Sequence, residues 1–217
     1  MVLEEYHAFV ARVDRLVAPL FQTYRKWLQC RKGCYFCCTR ISVLPVEHFS
    51  VRRWLFDRRG TTGLDHAPPG ASAGTSDAGP RRIEEIEAPS IDRSRIGLHK
   101  GVEGGVVCPL LGDDGACKVY EARPVICRVH GLPLAYPVFE YDQEGNLLPD
   151  SDPMDLWCDL NFRGLDDAEA AELFNADGRV SMAPLQRRLE EISRRFLATE
   201  EGAVYGDFEM VDLDGFA

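Results

Sequence analysis

Apolar residues recur at alternating spacings of three and four positions from Leu3 to Trp27. This is the period of one face of an α-helix, and it predicts an amphipathic helix over residues 2–28 that packs on its own chain. Pro19 falls inside this stretch and is expected to kink the helix or split it, because proline lacks an amide N–H.

Further helices are predicted over residues 45–58, 166–175 and 183–198. Pro45 suits the first turn of a helix, and Ser181 is a residue type that caps one. Leucine, isoleucine and phenylalanine follow each other at helical spacing through residues 183–198, opposite arginine and glutamate. This last stretch therefore predicts a helix with one face on the core.

Signals for β-structure are short. Residues 39–44 read as a strand, and residues 106–117 read as a hairpin that turns between Gly112 and Gly115. Residues 132–164 are rich in proline, aromatic and turn residues, and are predicted to wrap the core as irregular coil.

The middle of the chain is predicted to be an insertion. Residues 60–80 are nearly all glycine, proline, alanine, serine and threonine, and offer little apolar area to offset the entropy of ordering. The charged stretch that follows has no clear period, so residues 59–96 are predicted to form one flexible insertion within a single domain.

Composition excludes several functional classes. The chain has 217 residues and a formal charge of −10, so phosphate backbones repel it and nucleic acid is not an expected partner. No apolar run approaches the roughly 20 residues that span a bilayer, and the amino-terminal stretch lacks the pattern of a signal peptide. The expected location is the cytoplasm.

Eight cysteines dominate the candidate chemistry. In a reducing cytoplasm disulfides do not persist, so clustered thiols indicate metal or redox chemistry. The candidate metal ligands are Cys30, Cys34, Cys37, Cys38, Cys108, Cys117, Cys127 and Cys158. Cys158 is as compatible with simple burial beside Trp157 as with ligation.

The spacing of the cysteines requires distant segments to meet. Side chains three or four apart on a helix are neighbours, so two thiolates from one turn can reach one metal. The remaining ligands then come from elsewhere, or the segment is a loop, which Gly33 favours. The adjacent Cys37 and Cys38 do not easily place both sulfurs on one small ion. A multi-iron cluster or two neighbouring sites fits this pair better.

Both cysteine groups resemble the YkgJ-like cysteine-cluster family of CxxCxxCC type, a zinc- or iron-chelating domain. Cys34, Cys37 and Cys38 fit its first motif, although the gap after Cys30 is one residue longer than usual in the family. Its second motif is matched by Cys108, Pro109, Cys117, Tyr120, Arg123, Pro124 and Cys127. The resemblance covers roughly residues 30–130 and implies metal chelation.

The favoured cofactor is an iron–sulfur cluster, with zinc as the alternative, since both accept four cysteine ligands. The spacing of Cys30, Cys34 and Cys37 also fits radical S-adenosylmethionine enzymes, but the chain lacks the repeated βα units of their barrel.

The predicted function is metal binding with an electron-transfer or redox role, and a protein redox partner follows from that role. A structural or metal-handling zinc protein is the alternative, and a group-transfer enzyme such as a protein methylase stays open, since a flagellin lysine methylase shares this kind of domain.

Other residues near the cysteines are weaker candidates. His130 is a candidate mixed ligand or a hydrogen-bonded histidine, and Arg123 and Arg128 either offset thiolate charge or form salt bridges. The predicted fold class is mostly α with a small β-hairpin and irregular, metal-organised loops in a single domain. The predicted segments are an amino-terminal helix (1–29), a cysteine-cluster metal-binding domain (30–165), carboxy-terminal helices (166–199) and an acidic tail (200–217).

Overall fold

The computed structural model describes residues 1–31, 34–38, 41–59, 108–112, 114–138, 153–174, 178–206 and 210–213. The predicted insertion, apart from residue 59, lies outside these residues. All eight cysteines lie within them.

Helices dominate the described part of the chain, and the strands are only two or three residues long. This confirms the predicted mostly α fold class. None of the helices within the described ranges has the length and apolar character needed to cross a membrane. In chain order the elements are α1 (Val2–Thr23), β1 (Ser42–Val43), α2 (Pro45–Arg59), a 3-10 turn (Tyr120–Ala122), α3 (Val125–Val129), β2 (Leu134–Tyr136), β3 (Met154–Leu156), α4 (Asp167–Leu173), β4 (Val180–Ser181), α5 (Met182–Leu197), α6 (Glu200–Ala203) and β5 (Val211–Asp212).

Helix α1 is shorter than its apolar pattern predicts. It ends at Thr23 instead of residue 28, and Pro19 lies within it without splitting it. The Tyr24 hydroxyl donates hydrogen bonds to the carbonyls of Leu173 at 3.1 Å and Gly178 at 2.5 Å. These long-range bonds fix the chain where α1 ends, which a local pattern does not reveal.

The main core lies between α5 and the first two helices. Helix α5 packs against α1 and α2, and its Ile192 and Phe196 are buried there with Tyr6 and Val13 of α1. Burial of each such side chain stabilises the fold by about 1.5–3 kcal/mol. Helix α5 begins and ends within one residue of its predicted bounds. Ser181 occupies its N-cap position but makes no side-chain capping hydrogen bond.

Two small sheets join segments that are far apart in sequence. Strand β2 lies between β3, to which it is antiparallel, and β4, to which it is parallel. Strand β1 pairs with β5 in antiparallel register. The prediction of irregular coil over residues 132–164 is therefore wrong at β2 and β3. Strands of three residues carry too little alternation to be recognised, and their pairing is set by distant partners.

A second, smaller core supports the predicted hairpin. It contains Val43, Val51, Leu55, Leu110, Val119 and Leu213, with Cys108 and Cys117 packed against it. Of the predicted hairpin, residues 106, 107 and 113 lie outside the described residues. The rest forms one antiparallel bridge between Leu111 and Cys117. Gly115 has a φ of 71° in the turn, a conformation that glycine adopts without strain.

Candidate metal centre

The first cysteine segment leaves α1 and continues as a loop. Within it the Cys34 amide donates to the Arg31 carbonyl at 2.9 Å, and the Cys38 amide donates to the Tyr35 carbonyl at 2.8 Å. Cys30 and Cys37 are exposed, whereas Cys34 and Cys38 are half-buried. The four thiols of this segment therefore lie in turns, and they differ in their exposure to solvent.

The second cysteine segment is joined to the first through the backbone. The Cys108 amide donates to the Cys38 carbonyl at 2.9 Å. Cys117 forms an antiparallel β-bridge with Leu111. The Leu111 amide in turn donates a hydrogen bond to the Cys108 carbonyl at 3.0 Å. The turn thus holds Cys108 and Cys117 on the same small unit, beside Cys38.

Cys127 lies on the short helix α3, which a buried carboxylate positions. Glu47 of α2 accepts a hydrogen bond from the Val125 amide at 2.8 Å, at the start of α3, and another from the Leu44 amide at 3.2 Å. Burial raises the pKa of Glu47 to about 7, although these amides and Arg128 oppose the shift. Glu47 therefore links the amino-terminal turn of α2 to the helix that carries Cys127.

Cys158 follows strand β3 and is buried. Its carbonyl accepts a hydrogen bond from the Asn161 amide at 2.8 Å. The Asn161 side chain donates to the Gly131 carbonyl at 2.7 Å and to Cys30 Sγ at 3.5 Å, and accepts from the Gln29 amide at 2.8 Å. One buried asparagine thus ties the turn of Cys158 to Cys30. No signal in the sequence singled out Asn161.

Gly131 makes room for Cys30. A Cβ atom at this position would lie 2.8 Å from Cys30 Sγ and 3.3 Å from Asn161 Nδ2. Its φ of 98° also lies in the region that favours glycine. Both the contact with Cys30 and the backbone conformation therefore favour glycine at this position.

Cys37 and Cys38 differ in their readiness to ionise. The Cys38 thiol donates a hydrogen bond to the Cys37 sulfur, and this bond, helped by the charge of Arg123, lowers the pKa of Cys37 to about 7. The same bond, with burial and neighbouring thiols, raises the pKa of Cys38 well above its usual value. Near neutral pH, Cys37 is thus the thiol of this pair that ionises first.

Burial raises the pKa values of several other thiols. It is the largest cause for Cys30, Cys117 and Cys127, and it raises the pKa of Cys158 to about 11. These thiols are protonated at neutral pH in the metal-free chain. Because metals bind the thiolate form, binding here releases protons.

Arg123 and Arg128 have separate roles. Arg128 is buried and bonded to Asp14 at 2.7 Å, and it also donates to two backbone carbonyls. Arg123 stacks over the Tyr120 ring at 3.7 Å. Its positive charge contributes to the lowered pKa of Cys37 and partly opposes the effect of burial, which raises the pKa of Cys117. Its buried Nε has no hydrogen-bond partner among the described residues. Arg128 therefore forms a salt bridge, whereas the positive charge of Arg123 acts on the cysteines.

His130 is half-buried, and burial lowers the pKa of its imidazole, which favours the neutral form. The described contacts include no bond between this ring and a cysteine sulfur. Its role as a mixed ligand stays a prediction.

The donor set has the chemistry of a thiophilic metal site. None of the eight cysteines is in a disulfide, and thiolates are the soft ligands that zinc and iron–sulfur centres use. The guanidinium group of Arg123 adds a positive charge that acts on Cys37 and Cys117. Within the described ranges, no three cysteine, histidine or carboxylate side chains already stand as a coordination shell.

Comparison with known proteins identifies the family. No curated protein and no solved structure matches the chain. The model of the CxxCxxCC family, described as "Putative zinc- or iron-chelating domain", matches residues 29–139, which is half of the chain. The match includes every cysteine except Cys158 and confirms the resemblance at the level of the family, whereas the narrower YkgJ-like name stays a prediction. The chain belongs to the CxxCxxCC family.

Proposed function

We propose that the chain holds an iron–sulfur centre through its cysteines and serves in electron transfer. The observation that carries the proposal is the arrangement of the thiols. They come from four separate segments, and each segment is tied to another by a backbone bond or through Asn161. A set of thiols built this way is suited to enclose an inorganic centre, because each added ligand crosslinks a different part of the fold.

Two features favour iron–sulfur over zinc. Cys37 and Cys38 are adjacent, and a zinc ion with four ligands does not readily take both. Arg123 also places a positive charge beside the thiolates, and charges and hydrogen bonds near cluster sulfurs tune reduction potentials.

The exposure of the first segment supports an electron-transfer role. Cys30 and Cys37 are exposed, so a centre that they ligate lies near the surface of the described part of the chain. An iron–sulfur cluster supplies one-electron chemistry when bound. The protein holds that group at a surface where a redox partner can approach.

The chain's own residues would act on the centre in three ways. The cysteines bind it, and Asn161 orients Cys30 while keeping Gly131 close to it. Arg123 offsets the negative charge of Cys37 and Cys117. Glu47 holds the start of α3 and thereby positions Cys127.

Anaerobic purification of the full chain, followed by metal analysis and absorption spectroscopy, tests the proposal. We expect iron and acid-labile sulfide, with a visible band that bleaches when dithionite is added. Zinc without iron would support the alternative zinc site and overturn the redox role. A folded chain that contains neither metal would overturn metal binding itself.

A further inference from the structure

An open groove lies where the end of α1 meets α4. Its volume is about 570 Å³. Its apolar walls are formed by Leu20 of α1, Trp27 of the segment that follows, and Leu165 and Leu173 at the two ends of α4. Each of these four side chains is half-buried, so each keeps part of its apolar surface in solvent. Apolar surface of this kind, rimmed by polar residues, is characteristic of sites where proteins interact.

The rim of the groove is acidic. Glu169 and Glu172 of α4 both line it, and both are exposed. Glu169 accepts a hydrogen bond from the Asp166 amide at 3.0 Å, and neither glutamate has a cationic partner within the described ranges. None of the described residues that line the groove is basic. Lys26 is not among them, and its ammonium lies 3.8 Å from the centre of the Trp27 ring.

The groove adjoins the first cysteine segment. Trp27 precedes Cys30 by three positions, so their Cα atoms lie within about 11 Å of each other. The Trp27 carbonyl accepts a hydrogen bond from the Phe162 amide at 3.1 Å, and the two rings stack with their centroids 6.4 Å apart. Asn161, the residue before Phe162, donates to Cys30 Sγ at 3.5 Å. A molecule that binds in the groove therefore lies beside an exposed candidate ligand of the metal centre.

We infer that this groove is the docking site of a redox partner protein, which presents lysine or arginine side chains around a small apolar contact. The inference rests on the proposed function, because it states where the electron-transfer partner binds. The apolar walls supply the contact, and Glu169 and Glu172 pair with the basic side chains of the partner.

The charge of the whole chain supports a basic partner. With a formal charge of −10, the chain attracts a basic protein at long range and accelerates their encounter. Complexes of redox proteins are small, with less than about 1,200 Å² buried, which suits a contact at one end of a helix. A second copy of this chain is a poor occupant, because two acidic rims would then face each other.

Electron transfer to cytochrome c, a basic acceptor protein, tests the inference. The full chain is purified anaerobically and reduced, and stopped-flow absorption follows the transfer of one electron from the reduced centre to the ferric haem. In Glu169→Gln with Glu172→Gln we expect the second-order rate constant at low ionic strength to fall about fivefold or more. The difference from the wild type should disappear in about 0.5 M salt, which screens exposed charges.

Glu200→Gln with Glu201→Gln is the matched control, because it removes the same charge at the other end of α1. Glu201 lines a cavity together with Val2, whereas Leu20 lines the groove. Val2 and Leu20 are roughly 27 Å apart along α1, at about 1.5 Å per residue. We expect the control to change the rate constant much less. Equal falls in the two double variants, or no fall in either, would overturn the docking site.

Cross-linking separates failure of the docking site from failure of the proposed function. Carbodiimide joins carboxylates to lysine amines and needs no metal centre. We expect cross-links from Glu169 and Glu172 to cytochrome c, identified by mass spectrometry. Cross-links that avoid both glutamates, or no cross-links, would overturn the docking site whichever metal is bound. Cross-links at these glutamates in a chain without a reducible centre would overturn the proposed function and leave the docking site in place.

Discussion

Asn161 Nδ2 lies 3.5 Å from Cys30 Sγ, across 131 positions of sequence. The same nitrogen donates to the Gly131 carbonyl, and the side-chain oxygen accepts from the Gln29 amide. Replacement of Asn161 by alanine leaves these two backbone groups without their partner. We expect the free energy of unfolding to fall by about 2–4 kcal/mol, because each buried unpaired group costs about 1–3 kcal/mol.

Chemical denaturation of the metal-free protein measures this loss. Gln29→Ala is the matched control, since the Gln29 side chain is exposed and its amide bond to Asn161 survives the change. If Asn161→Ala lowers the free energy of unfolding no more than the control does, Asn161 does not hold Gln29 and Gly131 in place.

Gly131→Ala should damage the site more than a backbone effect alone explains. The added Cβ would lie 2.8 Å from Cys30 Sγ, whereas a Cβ at Gly164 meets nothing within 4 Å. The two glycines have similar φ angles of 98° and 91°. Gly164→Ala therefore measures the conformational cost, about 1–2 kcal/mol, without the steric contact. We expect only Gly131→Ala also to reduce bound metal; equal metal content in both variants would rule out the crowding of Cys30.

For the iron–sulfur centre proposed above, Arg123→Gln should lower the reduction potential. Removal of a positive charge disfavours the more negative, reduced state. With an interaction of about 1 kcal/mol, as expected for a charge near a surface site, the midpoint falls by about 40 mV. Redox titration followed by absorption measures the shift. Arg195→Gln, which removes a cation paired with Glu5, is the control and should leave the potential unchanged.

Glu47 and His48 give opposite dependences of stability on pH. Burial raises the pKa of Glu47 from 4.5 to about 7, so its contribution to stability is lost as pH rises through this range. Burial lowers the pKa of His48 from 6.5 to about 4, so its contribution is present above pH 6.5 and is lost as pH falls. Between pH 4.5 and 6.5 the two effects oppose each other.

Glu47→Gln should therefore make the protein more sensitive to acid than the wild type. Of the two opposing effects, only that of His48 then remains. On acidification from pH 6.5 to 4.5, the free energy of unfolding of the variant should therefore fall by about 1–2 kcal/mol more than that of the wild type, since one pKa unit corresponds to about 1.4 kcal/mol. Denaturation curves at both pH values test this. Glu191→Gln, at an exposed ion pair with Arg188, should leave the wild-type profile intact; a parallel change in both variants would refute the assignment.

Tyr205→Phe removes the hydroxyl that lies 2.8 Å from His48 Nδ1 in the core. We expect a loss of about 1–2 kcal/mol, because a buried hydrogen bond disappears while the aromatic ring stays. Thermal unfolding at neutral pH measures it. Tyr120→Phe, at an exposed ring under Arg123, should cost much less.

The sequence predicted features that depend on local chemistry and missed those that depend on distant contacts. Helix α5 was predicted almost to the residue because its apolar face has a strong period. The turn between Cys108 and Cys117 was predicted from Gly112 and Gly115. Strand β5 was not predicted, because two residues carry no period, and it forms only against β1.

The candidate site shows the same division. Cysteine spacing predicted that the two segments meet, and they do so through the bond between Cys108 and Cys38. The sequence did not predict the contacts that align these two segments. Asn161 is an ordinary residue in a turn until the fold brings Gln29 and Gly131 to it.

The pairing of β1 with β5 has a consequence for the order of events during synthesis. Strand β1 follows soon after Cys38, but Val211 and Asp212 leave the ribosome after every cysteine has emerged. A nascent chain therefore exposes its complete set of thiols before the first cysteine loop gains its anchor. A chain that stops near residue 200 keeps every cysteine but lacks β5, so β1 has lost its partner strand.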